Sequence, residues 1–316
     1  MPGGPVEVIE AIGAVQAQNA AAPAVGVWAR TGRVPDLMPA LQDGRLLRGT
    51  LLRGTLHLVS ARQYPAYAAV VEASGLLAQV RFDALRVALL DHAAKPRSHA
   101  ELVDFIEGWV ATNQSAIDPA ELARQRQYNW RPLLRWHALV RPPGAARPTD
   151  QVAAPVPPER WPDADSALRD VAAYHLRAFG PAGADDVAQW IGWKTPPVRA
   201  ALEAMDLARF EDERGRRLYD HPDAPRPDPD TPAPPRLLPW FDNVVLAYAP
   251  AHRARILPDE YRDRVYVRAN LQWLPLVLLD GMVAGTWAPK TGLQLFVKPS
   301  KGDAATLERL LAECPA

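Results

Sequence analysis

The segment from residue 163 to residue 222 constrains the fold most, because its helix and turn signals come in a fixed order. The amphipathic runs "DADSALRDVAAYHLRAFG" and "ADDVAQWIG" end at Gly180 and Gly192, residues that terminate helices, and "TPPVRAALEAM" follows as a third helix. The stretches "LARFEDE" and "RRLYDH" come next, separated by an Arg-Gly turn. Helices followed by such a ribbon are typical of a winged helix, a module that binds DNA or other proteins.

Weaker copies of the same unit occupy residues 36–59 and 98–141. In the second copy Ser98 and Glu101 form a capping box, Asp118 repeats the start signal, and "WRPLLRWHALV" predicts another helix. In the first copy "LLRGTLLRGTLHLVSA" predicts a hairpin after a short helix. The chain is therefore expected to contain three tandem winged helix-turn-helix units.

Proline-rich stretches separate these units from one another and from a β-rich end. The runs "NVVLAYA", "DRVYVRA", "LPLVLLDGMVAGTW" and "GLQLFVKP" predict strands, with a hairpin at Asp280-Gly281, and Asp303 is expected to cap a final helix. We expect an α+β fold that ends in a small C-terminal β-domain or barrel. The predicted segments are 1–95 and 96–160 (first unit, and second unit with a linker), 161–222 (third unit), 223–240 (tether) and 241–316 (β-barrel-like domain).

Composition excludes several classes of function. Cys314 is the only cysteine, the histidines have no metal-binding spacing, and no Gly-rich loop or G-x-S-x-G turn is present, so we expect no metal and no nucleotide cofactor. The sequence has no signal peptide or membrane-length apolar run, which favours a cytoplasmic protein without membrane contact. The net charge is zero, which disfavours generic nucleic-acid binding. Of the 36 basic residues 31 are Arg, which suits phosphate contacts but is explained first by a GC-rich genome.

Two glutamines, Gln16 and Gln18, occur in "AVQAQNAAAPA" after a helix predicted over residues 5–15. They can converge only if the helix ends at Val15 and the chain then extends. Two amides can hold a water molecule but cannot deprotonate it, which suffices only for a good leaving group such as a cationic N7- or N3-alkylated purine. Alternatively, both glutamines cap the helix and face solvent.

Five blocks together resemble the winged-helix DNA glycosylases of the AlkZ and YcaQ type: "GAVQAQ", "LLRGTLHLVSARQYPAY", "YHLRAFGPAGADDVAQWIGW", "FDNVVLAYAPAHRARIL" and "VLLDGMVAGTW". The resemblance implies three winged helices and a β-barrel forming a C-shaped channel around duplex DNA. Gln16-Ala17-Gln18 matches the Gln-apolar-Gln motif of the AlkZ branch. Family members usually carry a further helical segment before the position equivalent to residue 6.

The resemblance implies a monofunctional alkylpurine DNA glycosylase in which Gln16 and Gln18 are catalytic. The expected substrates are bulky natural-product guanine adducts or interstrand crosslinks in double-stranded DNA, removed in base excision repair or self-resistance. We expect a monomer at the nucleoid. The alternatives are a non-catalytic DNA-binding protein, either a regulator or a lesion-sequestering factor, and a protein-interaction scaffold.

Further polar side chains are candidate DNA contacts. In "RGTLHLV" alternate residues share one strand face, which the resemblance puts beside the channel, "WRPLLRW" has arginines one helical turn apart, and "AHRARI" has two that share a face if extended. Core packing of the histidine and solvated arginines are the alternatives. The candidates are Arg53, Thr55, His57, Arg131, Arg135, Arg253 and Arg255.

Overall fold

A computed structural model describes residues 3–75, 82–113, 117–145, 147–269 and 271–316. The chain divides into two compact units: unit 1 comprises Met1–Leu37 and Ala172–Ala316, and unit 2 comprises Met38–Val171. Unit 1 is thus built from both ends of the chain. The five-segment division expected from the sequence stays a prediction.

Unit 2 combines short helices with an antiparallel sheet. Its strand order is β3-β2-β4-β5, and β2 and β3 form the predicted hairpin. The helices are α3 (Met38–Gln42), α4 (Tyr64–Ala73), α5 (Asp83–His92), α6 (His99–Thr112), α7 (Pro119–Gln127) and α8 (Arg131–Leu134), and the strands are β2 (Leu46–Thr50), β3 (Leu56–Ser60), β4 (Leu139–Arg141) and β5 (Val152–Ala153).

The helix starts predicted at Ser98 and Asp118 in unit 2 are confirmed. Ser98 and Glu101 form a reciprocal capping box at the start of α6, and the Asp118 side chain accepts a hydrogen bond from the backbone of Glu121 in α7. The helix predicted over "WRPLLRWHALV" is wrong beyond Leu134, because its last residues pair with β2 and β5 as strand β4. The sequence "RFDALRVALLDHAA" also predicts a helix, which is α5, but its first residue, Arg81, lies outside the described residues.

The core of unit 2 is formed by apolar residues at helical spacing. Leu85 and Leu89 of α5 pack against Leu102 and Ile106 of α6, and all four side chains are fully buried. The i, i+4 spacing places each pair on one helix face. Burial of these faces supports the helices and the neighbouring strand β4.

In unit 1 the N-terminal part consists of α1 (Pro5–Ile12), β1 (Val15–Gln16) and α2 (Ala22–Thr31). Helix α9 (Ala164–Phe179) crosses the boundary between the units. The C-terminal helices are α10 (Ala184–Ile191), α11 (Thr195–Glu203), α12 (Asn243–Leu246), α13 (Arg262–Val265) and α14 (Lys301–Glu313), and the strands are β6 (Ala208–Glu211), β7 (Arg217–Asp220), β8 (Arg236–Leu238), β9 (Tyr266–Val267), β10 (Gln272–Trp273), β11 (Leu276–Leu279), β12 (Met282–Ala288) and β13 (Gly292–Leu295).

The order expected over residues 163–222 is confirmed. Helices α9, α10 and α11 precede the antiparallel ribbon β6-β7. Gly192 ends α10 in the left-handed conformation, at φ 88°, which is the conformation that Gly allows without a Cβ clash. The left-handed turn at Gly192 therefore ends α10 where the sequence predicts.

The C-terminal strands form an open antiparallel sheet, in the order β13-β12-β11-β8. A closed barrel is not found in the described part of the chain, because β8 and β13 are edge strands of this sheet. The Asp280-Gly281 turn joins β11 to β12 as predicted, with both residues at positive φ. Strand β8 falls inside the predicted proline-rich tether, whose last residues pair with β11 instead.

Two further predictions for this region are wrong. "NVVLAYA" begins with helix α12 rather than a strand, because the Asp242 side chain caps the backbone N–H of Val244. Helix α14 is capped by Ser300, whose hydroxyl accepts from Asp303, and not by Asp303 itself.

Helix α2 packs on the C-terminal sheet within unit 1. Val25 and Trp28 of α2 share one core with Leu237 of β8 and Leu276 of β11, all at most 2% exposed. The N-terminal segment is therefore held by the last third of the chain. No helix among the described residues is both long and apolar enough to cross a bilayer.

Candidate active site

The two glutamines follow a sharp end of helix α1. The helix stops at Ile12, earlier than predicted, because Gly13 takes φ 72° and ψ −163°, and Val15 and Gln16 then extend as β1. Gln16 is buried, with 5% of its surface exposed, whereas Gln18 lies on an exposed bend. The amides are thus two residues apart in different surroundings.

Asn243 fixes the turn that carries Gln16. Its Nδ2 donates to the carbonyl oxygens of Ile12 at 3.2 Å and Ala14 at 2.7 Å, and its Oδ1 accepts from Trp190 Nε1 at 3.2 Å. The Asn243 side chain uses both donors and its acceptor in a buried position. We call these three contacts of Asn243 the amide clamp. Because it pairs the carbonyls at the end of α1, the chain enters β1 in one defined direction.

A buried ion pair lies beside the clamp. Arg30 of α2 donates through Nη2 to Asp242 Oδ1 at 2.8 Å and through Nη1 to Asp242 Oδ2 at 3.0 Å. The Arg30 and Asp242 side chains are 13% and 3% exposed. Asp242 also caps α12. Asp242 of the ion pair and Asn243 of the amide clamp are therefore neighbours in the chain at the start of this helix. This bidentate pair satisfies both charges where water has little access.

A small cavity with both polar and apolar lining residues adjoins Gln16 in unit 1. Its volume is about 10 Å³, which is room for one water molecule. Phe241 lies on its wall at φ 56°, a left-handed conformation that costs a non-glycine residue roughly 1–3 kcal/mol. The lining residues are Ile12, Val15, Gln16, Arg30, Pro239, Trp240, Phe241, Asp242 and Asn243.

The predicted face of Arg53, Thr55 and His57 does not form. Arg53 lies in a 3-10 turn and Thr55 follows it, both half-buried, and Thr55 Oγ1 donates to Leu52 O, whereas only His57 belongs to β3. His57 is fully buried, and its Nδ1 is 2.8 Å from Thr55 O. Burial, followed by the charge of Arg53, lowers the pKa of His57 to about 3, so the neutral ring donates from Nδ1. Full burial leaves His57 no surface for a DNA contact.

The arginines of "WRPLLRW" are both exposed. Arg131 begins α8 and Arg135 follows its last residue. Trp130 and Trp136 of the same segment are 1% and 4% exposed, so both are core residues. Arg131 and Arg135 therefore present their charges to solvent from a rigidly packed helical turn.

Arg253 and Arg255 lie in a 3-10 helix, Pro250–Arg255, rather than an extended segment. Arg253 Nε donates to the carbonyls of Val245 and Tyr248, both at 3.1 Å, and burial lowers its pKa. Arg255 donates to Pro181 O at 2.9 Å and is exposed. Arg253 thus has a role within the fold, and Arg255 keeps a solvent-facing charge.

Potential metal ligands in unit 1 already have a cationic partner. One ligand atom each of Asp185, Asp186 and His252 lies within 4.8 Å of the others. Arg216 Nη1 is 3.2 Å from Asp185 Oδ1 and 2.9 Å from Asp186 Oδ2. The guanidinium neutralises much of the negative charge that a cation would need.

Sequence reasoning missed Arg30, Asp242 and Asn243. All three belong to unit 1, and Asp242 and Asn243 occur in the block "FDNVVL", which was interpreted as a strand. The available signal was Asp242, a residue type that favours the N-cap position. The partners of Asn243, which are more than 200 residues away, leave no local pattern.

Comparison with known proteins identifies the family. The family model described as DNA glycosylase AlkZ-like matches residues 9–315. The chain therefore belongs to the AlkZ-like family of DNA glycosylases, whose substrate is DNA. Curated proteins include no significant match.

A solved structure shares the fold. The Streptomyces sahachiroi DNA glycosylase AlkZ matches with a TM-score of 0.78 and 21% sequence identity, over 98% of this chain and 91% of that chain. This likeness shows a mixed α/β fold similar to that of AlkZ. The family resemblance read from the five sequence blocks is thereby confirmed.

Proposed function

We propose that the protein is a monofunctional glycosylase that removes cationic N7- or N3-alkylated purines from double-stranded DNA. Bulky natural-product guanine adducts and interstrand crosslinks are the proposed substrates, in base excision repair or self-resistance. The proposal includes three winged helices along the DNA, a monomeric protein at the cytoplasmic nucleoid, and no metal or nucleotide cofactor. Membership of the AlkZ-like family supports DNA glycosylase activity in general.

The proposed chemistry is hydrolysis at C1′ of the damaged nucleotide. The water oxygen bonds to C1′, the C1′–N bond breaks, the purine leaves as a neutral base, and the surplus proton goes to solvent. The positive charge on the alkylated base makes it a good leaving group before the bond breaks. Gln16 and Gln18 need only position the water, because neutral amides cannot deprotonate it.

The amide clamp is the observation that carries this proposal. Asn243 holds the carbonyls of Ile12 and Ala14, so the strand with Gln16 starts from a fixed turn beside a one-water cavity. Preorganised polar groups lower a barrier without reorganising during the reaction. Arg53, Thr55, Arg131, Arg135 and Arg255 are the proposed contacts to DNA phosphates.

The test is release of free base from an alkylated duplex. Wild-type protein in a chelator, without nucleotide, is expected to release the base and leave an abasic site. Gln16→Ala and Gln18→Ala should each lower the rate by at least about tenfold, the smallest effect expected for a lost positioning interaction of about 1.4 kcal/mol. Gln127→Ala, at an exposed position at the end of α7, is the matched control. Undiminished release by the double variant would reject the mechanism.

A non-catalytic DNA-binding protein is the second candidate, and the burial of Gln16 favours it. A side chain that is 5% exposed reaches DNA only after a local rearrangement. Binding to undamaged duplex together with no base release from any alkylated duplex would support this candidate.

A further inference from the structure

Two arginines of unit 2 stand directly opposite each other in the sheet. Arg48 of β2 and Arg141 of β4 are paired in the antiparallel register. Directly opposite residues have their Cα atoms about 4.5–5.5 Å apart and their side chains on the same face. The fold thus forces two half-buried cations together, an arrangement that destabilises a sheet unless an anion joins it.

The hydrogen bonds of the pair leave its charge uncompensated. Arg141 Nη1 donates to the neutral carbonyls of Thr149 at 2.7 Å and Asp150 at 3.4 Å. Within the described ranges, Arg48 and Arg141 form no ion pair, and Arg48 Nε is buried without a hydrogen-bond partner. Burial lowers the pKa of Arg48, and burial followed by the charge of Arg48 lowers the pKa of Arg141.

Other titratable groups interact with the pair. Burial lowers the pKa of His99, a hydrogen bond with Asn129 raises it, and the charges of Arg131 and Arg141 lower it. Asp150 is the carboxylate whose charge acts on Arg141, but its Oδ2 accepts from the backbone N–H of Arg147. The paired arginines Arg48 and Arg141 carry two positive charges, which the single charge of Asp150 does not balance.

We propose that Arg48 and Arg141 together bind a backbone phosphate of duplex DNA. Guanidinium forks match phosphate oxygens in geometry, and two forks supply more donors than one anion uses. A phosphodiester relieves the repulsion that the strand register creates. The site rests on the proposed function only in taking DNA as its ligand.

The test is the salt dependence of binding to an undamaged duplex oligonucleotide, measured by fluorescence anisotropy. Because the two arginines share one phosphate, the double variant Arg48→Gln/Arg141→Gln is expected to reduce the magnitude of the slope of log K against log salt by about 0.9. Each single variant should reduce it by a smaller amount. Arg126→Gln is the matched control, because Arg126 is already paired with Glu107 at 2.6 Å, and its slope should equal that of wild type. Unchanged slopes in the Arg48 and Arg141 variants would overturn the proposal.

Thermal unfolding separates a DNA site from a structural pair. Removing one of two repelling charges should leave Tm unchanged or raise it. A lower Tm with an unchanged slope would mean that the arginines serve the fold and would overturn the proposal. Adding inorganic phosphate distinguishes a DNA phosphate from a free anion. If phosphate raises the Tm of wild type but not that of Arg48→Gln, and the salt slope of DNA binding is unchanged in this variant, the site binds a free anion. That result would also contradict the proposal.

Base release from an alkylated duplex, measured in parallel, distinguishes the two proposals. If wild type binds DNA and releases no base, and DNA binding by the variants depends less steeply on salt, the phosphate site stands and the glycosylase mechanism fails. If wild type releases base and the variants keep the wild-type slope, the phosphate site alone fails. Absence of any DNA binding by wild type would overturn both.

Discussion

Replacing Asn243 by aspartate tests whether the amide clamp holds the turn before Gln16. Asn243→Asp keeps the shape of the side chain but puts an oxygen where Nδ2 donates to the carbonyls of Ile12 and Ala14. Each buried carbonyl left unpaired costs about 1–3 kcal/mol. The free energy of unfolding at neutral pH should therefore fall by about 2–6 kcal/mol.

The loss should depend on pH, because the new carboxyl can protonate. Burial beside two carbonyl oxygens raises its folded-state pKa above the unfolded value of about 3.9. A raised pKa means that the protonated form is favoured on folding, so the penalty is smallest below pH 4, where the single O–H of the protonated carboxyl can pair one of the two carbonyls. Stability is then lost as pH rises through the folded-state pKa, by up to about 1.4 kcal/mol per pH unit.

Urea unfolding of wild type and Asn243→Asp between pH 4 and pH 8 measures this difference. Asn113→Asp is the control, since Asn113 Nδ2 also donates to a carbonyl, that of Trp109 at 2.8 Å, but at a partly exposed helix end. Its penalty should be small and nearly constant with pH. An equal penalty for Asn243→Asp at pH 4 and pH 8 would refute the reasoning.

Three other substitutions, followed by urea unfolding at neutral pH, probe the surrounding contacts. Trp190→Phe removes the donor to the amide clamp and should cost about 1–3 kcal/mol; no loss would mean that this bond is dispensable. Asp242→Asn leaves the Arg30 charge buried without its partner and should lower the free energy of unfolding by about 3–5 kcal/mol. A decrease of less than about 1 kcal/mol would contradict this expectation. Gly49→Ala pushes a methyl group into the Tyr64 hydroxyl and should cost about 1–3 kcal/mol, whereas wild-type stability would show that the ring moves freely.

Helix starts and tight turns could be predicted from the sequence because their signals are local. The capping box at Ser98, the stop at Gly192 and the Asp280-Gly281 hairpin each depend on residues within a few positions. The family resemblance added the glutamine motif, since Gln-x-Gln alone carries little information.

The failures come from elements whose conformation depends on distant partners. The apolar run after Asn243 reads as a strand, but the Asp242 cap and core burial of Val245 make it helical. Strand β8 could not be predicted in a proline-rich stretch, because its partner β11 lies about 40 residues further along the chain. The opposition of Arg48 and Arg141 likewise depends on strand register, which no local pattern specifies.

The discontinuous composition of unit 1 has a consequence during protein synthesis. Asn243 follows Ala14 by 229 residues, so the glutamine turn leaves the ribosome long before its support exists. At about 5–20 residues per second, the delay is roughly 10–45 s. A nascent or truncated polypeptide that ends before Asn243 therefore displays both glutamines without the contacts that fix their backbone.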